Sequence, residues 1–242
     1  MTTTAVRPVL KAGSRGDDVV TLQENLAQKL GQHLASDGIF GNNTHQAVRR
    51  FQRDNWLVVD GHVGTCTWAA LLGTEQYNIL HSVRLIPQQD NSACWLAATS
   101  MILGKSSQIN RNSVPSSLQA GDGGLLNDSA LNQQVHVEAY ARHFNLHMYY
   151  PQSWTASGLA SILRLGPVAT HVLWNVTGYV NGTGSSGHFA VIAGIRGDGT
   201  AVGTTLRIYD PWPPGTGNIE SFGYHKLMSN TPALTYNLFQ KK

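Results

Sequence analysis

Apolar residues recur at helical spacing through the first part of the chain. Val19, Val20, Leu22, Leu26 and Leu30 share one face of a 3.6-residue period and predict an amphipathic helix. Asp37-Gly38-Ile39-Phe40-Gly41 breaks that period as a turn. A second helix follows, with Thr44 near its start and Ala47, Val48 and Phe51 on one face. Asp60-Gly61-His62-Val63-Gly64 repeats the turn 23 residues on, and a third helix runs through Trp68, Ala69, Leu71 and Leu72. Two Asp-Gly-x-(Phe/Val)-Gly turns, each leading into a helix, predict a small three-helix domain with a pseudo-repeat.

Residues 73–84 read as a linker, which puts the domains at 1–75 and 76–242. The second opens with an extended piece, Val83-Arg84-Leu85-Ile86-Pro87, and then a helix running from Cys94 through Leu96 and Leu103. A polar excursion from Lys105 to Asp128 contains Gly121-Asp122-Gly123-Gly124 and suits one wall of a cleft. Leu131 to Phe144 and Trp154 to Leu165 read as helices, the latter ended by Gly166-Pro167. Beyond Pro167 the period changes to two. Val168 to Trp174, Gly187 to Ile195 and Thr204 to Tyr209 read as strands, with Gly197-Asp198-Gly199 as a hairpin turn between the last two. Helices followed by an antiparallel sheet make the fold class α+β.

Composition narrows the picture. The chain has 242 residues, 41% hydrophobic and 13% charged, so it is globular rather than disordered. A net charge of +3, dispersed along the chain, argues against nucleic acid as a partner but tolerates an anionic surface such as a bacterial cell wall. No segment approaches the roughly 20 apolar residues that span a bilayer. The N-terminus lacks the apolar core of a secretory signal, so the expectation is a cytoplasmic protein or export by a route that reads no cleavable signal. Two cysteines, Cys66 and Cys94, cannot make a dense disulfide framework. They could bridge each other, which would exclude either as a nucleophile. Nothing in the pattern asks for a cofactor.

The first part of the chain resembles the peptidoglycan-binding-like domain of bacterial cell-wall enzymes. The carrying residues are Leu10 to Val19, Leu22-Gln23, the two turns, Thr44, Ala47-Val48, Phe51-Gln52, Trp68 and Leu71. Cys66 departs from that pattern, where a polar residue or proline is usual, and reads as a semi-buried thiol without function. The resemblance implies a module that docks onto glycan or stem peptide, although the same fold also serves as a spacer or prodomain.

Cys94 carries the candidate chemistry. It stands at a helix start, where the backbone dipole and unpaired N–H groups favour the nucleophilic thiolate. A thiol nucleophile needs a base within hydrogen-bond reach, a group that orients the base, and a donor for the oxyanion. His188 heads a strand and Asp210 ends its neighbour. If those strands pair across Gly197–Gly199, the two side chains lie at one end of the sheet. Gln88, six residues before Cys94, could donate to the oxyanion together with the Cys94 N–H. His171, also on a strand, is the competing base. Trp212-Pro213-Pro214 either walls a substrate groove or packs the loop after Asp210.

Gln88-x5-Cys94-Trp95, Gly166-Pro167, Gly187-His188-Phe189-Ala190-Val191 and Asp210-Pro211-Trp212-Pro213 together resemble the papain-like cysteine peptidases. Within them the pattern is most similar to bacterial effector proteases and to double-glycine leader peptidases. The resemblance implies a papain-like domain with Cys94 as nucleophile, His188 as base, Asp210 as orienting carboxylate and Gln88 as oxyanion donor. The expected function is a secreted cysteine peptidase acting on a protein or peptide, as an effector or interbacterial toxin, with peptidoglycan bound by the first domain. A toxin would have an immunity protein that plugs its cleft. Two alternatives stand beside it: a peptidoglycan stem-peptide hydrolase or amidase using the same residues, and a non-catalytic wall-binding protein. His136, His143 and His147 are candidate metal ligands, the last two being four apart on an expected helix. With no third ligand they read as solvent-facing, and no metal is expected.

Overall fold

The computed structural model describes residues 7–126, 134–173, 187–226 and 237–242. The expected elements at Leu131, Trp174 and Asp128 therefore end outside the described residues. Contacts divide the chain into two compact units. One takes the chain up to Asn78 with Arg196–Thr205 and Ser221–His225; the other takes Ile79–Ile195, Leu206–Glu220 and the residues from Lys226 on.

The first unit holds helices α1 (Asp17–Leu30), α2 (Asn42–Asp54) and α3 (Thr65–Leu72). Asp17 and Asp18 in the first turn of α1 complement its positive end, and Gly31, at φ 59°, closes it in the left-handed conformation that glycine adopts without strain. The apolar stripes converge: Leu10, Val19, Leu22, Leu26, Phe40, Val48, Phe51, Leu57, Val63, Trp68 and Leu71 are all buried in one cluster. Each fully buried large side chain contributes about 1.5–3 kcal/mol relative to exposure.

The pseudo-repeat has a physical basis in two buried glutamines. Gln23 donates to Asp37, Thr44 and the Ile39 carbonyl, and accepts from the Gly38 amide. Gln52 does the same with Asp60, Thr67, the His62 carbonyl and the Gly61 amide. One amide side chain thus pins each Asp-Gly turn to the start of the next helix. Arg196 is also buried in this unit. Its guanidinium forks onto both oxygens of Glu75 at 2.7 Å, donates to the Asn55 carbonyl and lies 4.9 Å from the centre of the Trp56 ring.

The second unit begins within β1 (Tyr77–Leu80), followed by α4 (Cys94–Ile102) and two 3-10 turns, Arg111–Ser113 and Ser116–Leu118. Then come α5 (Val135–His143), β2 (Leu146–Tyr149), α6 (Ala156–Leu163), β3 (Val168–Leu173), β4 (Gly187–Gly197), β5 (Thr204–Asp210), β6 (Asn218–Gly223) and β7 (Asn237–Lys241). The strands form one sheet in the order β2-β7-β3-β4-β5-β6, with β1 also paired to β4. β3 runs antiparallel to both β4 and β7, and His188 on β4 faces Val172 on β3. The fold is α+β: a three-helix domain and a second domain in which helices pack on a sheet.

Every residue of α4 is buried, which explains its apolar character all round. Trp95, Leu96 and Ala97 join Tyr140, Phe189, Val191 and Phe239 in the core. Tyr140 sits at the centre, edge-on to Trp95, Phe144, Phe189 and Phe239, with its hydroxyl hydrogen-bonded to Thr99. This packing fixes the helix whose first residue is Cys94.

Two expectations are corrected. The 73–84 linker contains β1, whose few apolar residues are too short a run to show a period. β1 needs Gly194 opposite it, since a Cβ there would lie 2.6 Å from the Ile79 carbonyl oxygen. His143 and His147 are not on one helix. The chain turns through Phe144 and Asn145, the latter at φ 52°, and His147 lies on β2.

Candidate active site

Cys94 is the first residue of α4 and is 8% exposed. The N–H groups of the first helical turn have no partner within the helix, so the thiol sits where negative charge is favoured. Both cysteines are free. They differ in setting: Cys66 contacts the Thr205 hydroxyl at 3.2 Å, and burial pushes its thiol up to about 11. Cys94 interacts directly with the His188 ring.

His188 is the second residue of β4 and Asp210 the last of β5, adjacent strands whose ends meet. His188 Nε2 lies 2.7 Å from Asp210 Oδ1. That leaves Nδ1 as the ring nitrogen for Cys94. Burial on its own would lower the His188 pKa, but the hydrogen bonds and charges of Asp210 and Cys94 outweigh it and raise it to about 9. At that value the ring carries a proton at neutral pH. The same Asp210 oxygen accepts from the Trp212 amide at 2.8 Å, so the turn after β5 fixes the carboxylate. Glu220 on β6 feels Asp210 as well. Burial and then the Asp210 charge raise its pKa.

Gln88 is 1% exposed. Its backbone is clamped to the loop after Asp210, with its N–H donating to the Pro211 carbonyl and its own carbonyl accepting from Gly215. Its side-chain Nε2 donates to the Asp90 carbonyl at 2.6 Å, leaving a second N–H on that nitrogen. The loops that carry Gln88 and Asp210 are therefore locked together through the backbone.

A cleft of about 320 Å³ opens beside Cys94. One side is Asn91, Ser92, Cys94 and Trp95; the other is Ala120, Asp122, Gly124 and Leu125, from the polar excursion; His171 and Phe189 also line it. His171 lies against the Phe189 ring, stacked at 4.7 Å. It reaches the cleft, whereas the Asp210 hydrogen bond goes to His188. Trp212 is exposed and contributes its amide to Asp210. Among the described residues no group of three or more His, Cys, Asp or Glu could hold a metal ion. No helix among them is long and apolar enough to cross a membrane.

Sequence reasoning missed the ties between the two sides of this cleft. Arg111 Nη2 donates to Asp90 Oδ1 at 2.8 Å. The Ser92 hydroxyl donates to the Asp122 carbonyl at 2.7 Å, and Trp95 Nε1 to the Gly123 carbonyl at 3.3 Å. The only signal in the sequence was the Gly121-Asp122-Gly123-Gly124 run. It reads as part of a polar excursion and a cleft wall, and nothing in it shows a guanidinium packing against the backbone.

Comparison with known proteins separates the two parts. Residues 15–71 match the family described as putative peptidoglycan binding domain. The spore cortex-lytic enzyme of Halalkalibacterium halodurans is 41% identical over 81 residues, 32% of this chain and 24% of that enzyme. That of Bacillus cereus is 36% identical over 70 residues, 29% of this chain and 27% of that enzyme. The chain thus spans about a quarter of the length of these curated relatives. Among solved structures, the Burkholderia AP3 phage endolysin shares 40% identity over 28% of this chain and 26% of that one, with a TM-score of 0.27. The SleB N-terminal domain shares 35% identity over 29% of this chain and 97% of that one, with a TM-score of 0.28. Residues 74–225, well over half of the chain, match the family described as papain-like cysteine protease AvrRpt2, and the chain belongs to that family.

Proposed function

We propose that this cysteine protease cleaves peptide bonds in a protein through Cys94, His188 and Asp210. The observation that carries the reading is His188 held by Asp210 at 2.7 Å and raised to about 9 by Asp210 and Cys94 despite burial. The Cys94 thiolate attacks the substrate carbonyl. The oxyanion takes hydrogen bonds from the Cys94 N–H and the remaining Gln88 N–H. The imidazolium gives its proton to the leaving amine, and an acyl-enzyme remains. His188 then removes a proton from water, the resulting hydroxide attacks the thioester, and the acid and thiol are released. Asp210 orients the ring and stabilises its charged form.

The domain boundaries we propose are 1–75 and 76–242, with the first domain docking the enzyme onto peptidoglycan. A secreted effector or interbacterial toxin, countered by an immunity protein that fills the cleft, is the setting that fits a wall-binding module joined to a protease. A second reading has a specific observation behind it. The match to the peptidoglycan-binding family and the likeness to spore cortex-lytic enzymes favour a stem-peptide hydrolase using the same residues.

One experiment separates the two. Purified sacculi are digested with the wild type and with Cys94→Ala, and released fragments are read by mass spectrometry. New stem-peptide ends made by wild type alone support the second reading and sink the first. Intact sacculi, from a protein whose Cys94 still reacts with a thiol-directed peptidase inhibitor, support the protein target.

A further inference from the structure

We propose that Arg111 is a positioning residue for the substrate cleft, its salt bridge to Asp90 holding the Ala120–Leu125 wall against the segment that carries Cys94. This rests on the catalytic reading of Cys94. The two sides of the cleft come from separate stretches of chain; Leu118 and Leu125 share the apolar core with Cys94 and Trp95, and no strand pairing among the described residues joins the two stretches. Above that core they are tied by a chain of polar contacts, beside the Trp95 bond to the Gly123 carbonyl. Arg111 Nη2 reaches Asp90 Oδ1 at 2.8 Å and Ser92 Oγ at 3.3 Å. Asp90 Oδ1 also accepts from the Ser92 amide and lies 3.0 Å from its hydroxyl oxygen. Ser92 passes the link across the cleft to the Asp122 carbonyl at 2.7 Å.

The wall in turn rests on the guanidinium. Gly123 has φ 85°, and a Cβ there would lie 2.8 Å from Arg111 Cζ and Nη1. At that φ glycine alone is unstrained, and a Cβ would push on the guanidinium. Arg111 Nε is buried and has no hydrogen-bond partner among the described residues.

Magnitude separates position from stability. The Arg111 and Asp90 side chains are 28% and 45% exposed, and ion pairs of that exposure add little to global stability. The pair therefore matters through geometry. Misplacing a binding surface by about 1 Å costs up to 10²-fold in reactivity toward a group that must be positioned. A small reagent that needs no wall is unaffected.

The test uses two alkylating probes on the full chain. Iodoacetamide reads the Cys94 thiolate alone. The most reactive member of a tripeptidyl chloromethyl ketone panel reads thiolate and cleft together. Arg111→Gln is expected to slow the peptidyl probe about tenfold and leave the iodoacetamide rate within about twofold. Gly123→Ala, which disturbs the same contact from the wall side, should give the same split, and Arg111→Lys should restore part of the peptidyl rate. Melting temperatures within about 2 °C of wild type show that the variants fold. Equal slowing of both probes, or no slowing of either, overturns the proposal. The catalytic reading fails separately, when wild-type Cys94 reacts with neither probe faster than a cysteine in the denatured chain.

Discussion

Asp210→Asn perturbs the site with almost no change of shape. It removes the charge that faces His188 Nε2 at 2.7 Å and leaves an amide in its place. In the wild type the ring rises from its ordinary 6.5 to about 9, although burial pulls the other way. That rise corresponds to roughly 3 kcal/mol of preference for the charged ring. The sign follows from linkage. A folded value above the unfolded one stabilises the fold fully below pH 6.5, and the contribution is lost as pH rises through about 9. Activity should follow the same proton, because the imidazolium must protonate the leaving amine. The wild-type kcat/KM profile is expected to fall on an alkaline limb near 9. In Asp210→Asn, Cys94 still supports the charged ring but Asp210 does not, so the limb should move down by about one to two pH units. The assay is the pH dependence of Cys94 alkylation and of peptide hydrolysis, followed in parallel with the imidazole proton resonances of His188. An unmoved limb, or a His188 that titrates near 6.5 in the wild type, refutes the reasoning.

Three further outcomes are expected. Glu75→Gln strips the partner from Arg196 in a pair whose side chains are 4% and 10% exposed, and should cost about 3–5 kcal/mol, or roughly 10 °C in melting temperature. A loss under about 0.5 kcal/mol would mean that the Asn55 carbonyl and Trp56 hold the guanidinium unaided. Gln88→Ala should lower kcat by about 10²-fold with little change in KM, measured at steady state; an unchanged kcat removes Gln88 from the oxyanion site. Limiting iodoacetamide at neutral pH should label Cys94 and spare Cys66, whose thiol is held at about 11; peptide mapping that finds both labelled equally contradicts that difference.

Much of this was legible from particular residues. The three helices of the first unit were readable because their stripes are long and punctuated by the two Asp-Gly turns. What Gln23 and Gln52 do for those turns was not, since a buried glutamine looks like any polar residue until its four partners converge. The places of Cys94, His188 and Asp210 were legible because each stands at the end of an element, and element ends are marked by breaks in period. β1, β2, β6 and β7 were missed for the opposite reason. β2 is four residues directly after a helix, and its His147 falls at helical spacing from His143. β6 begins with three exposed residues and shows no alternation. The Asp90–Arg111 tie joins two loops, where no periodicity exists to place one charge against the other.

The make-up of the first unit has a consequence for synthesis. Because Arg196–Thr205 and Ser221–His225 belong to it, the unit is not complete when Asn78 leaves the ribosome. At about 5–20 residues per second, the remaining pieces arrive on the order of 6–30 s later. Through that interval Glu75 and the Asn55 carbonyl await the guanidinium that will cover them. The amino-terminal helices are made first, yet their unit is among the last parts of the chain able to close.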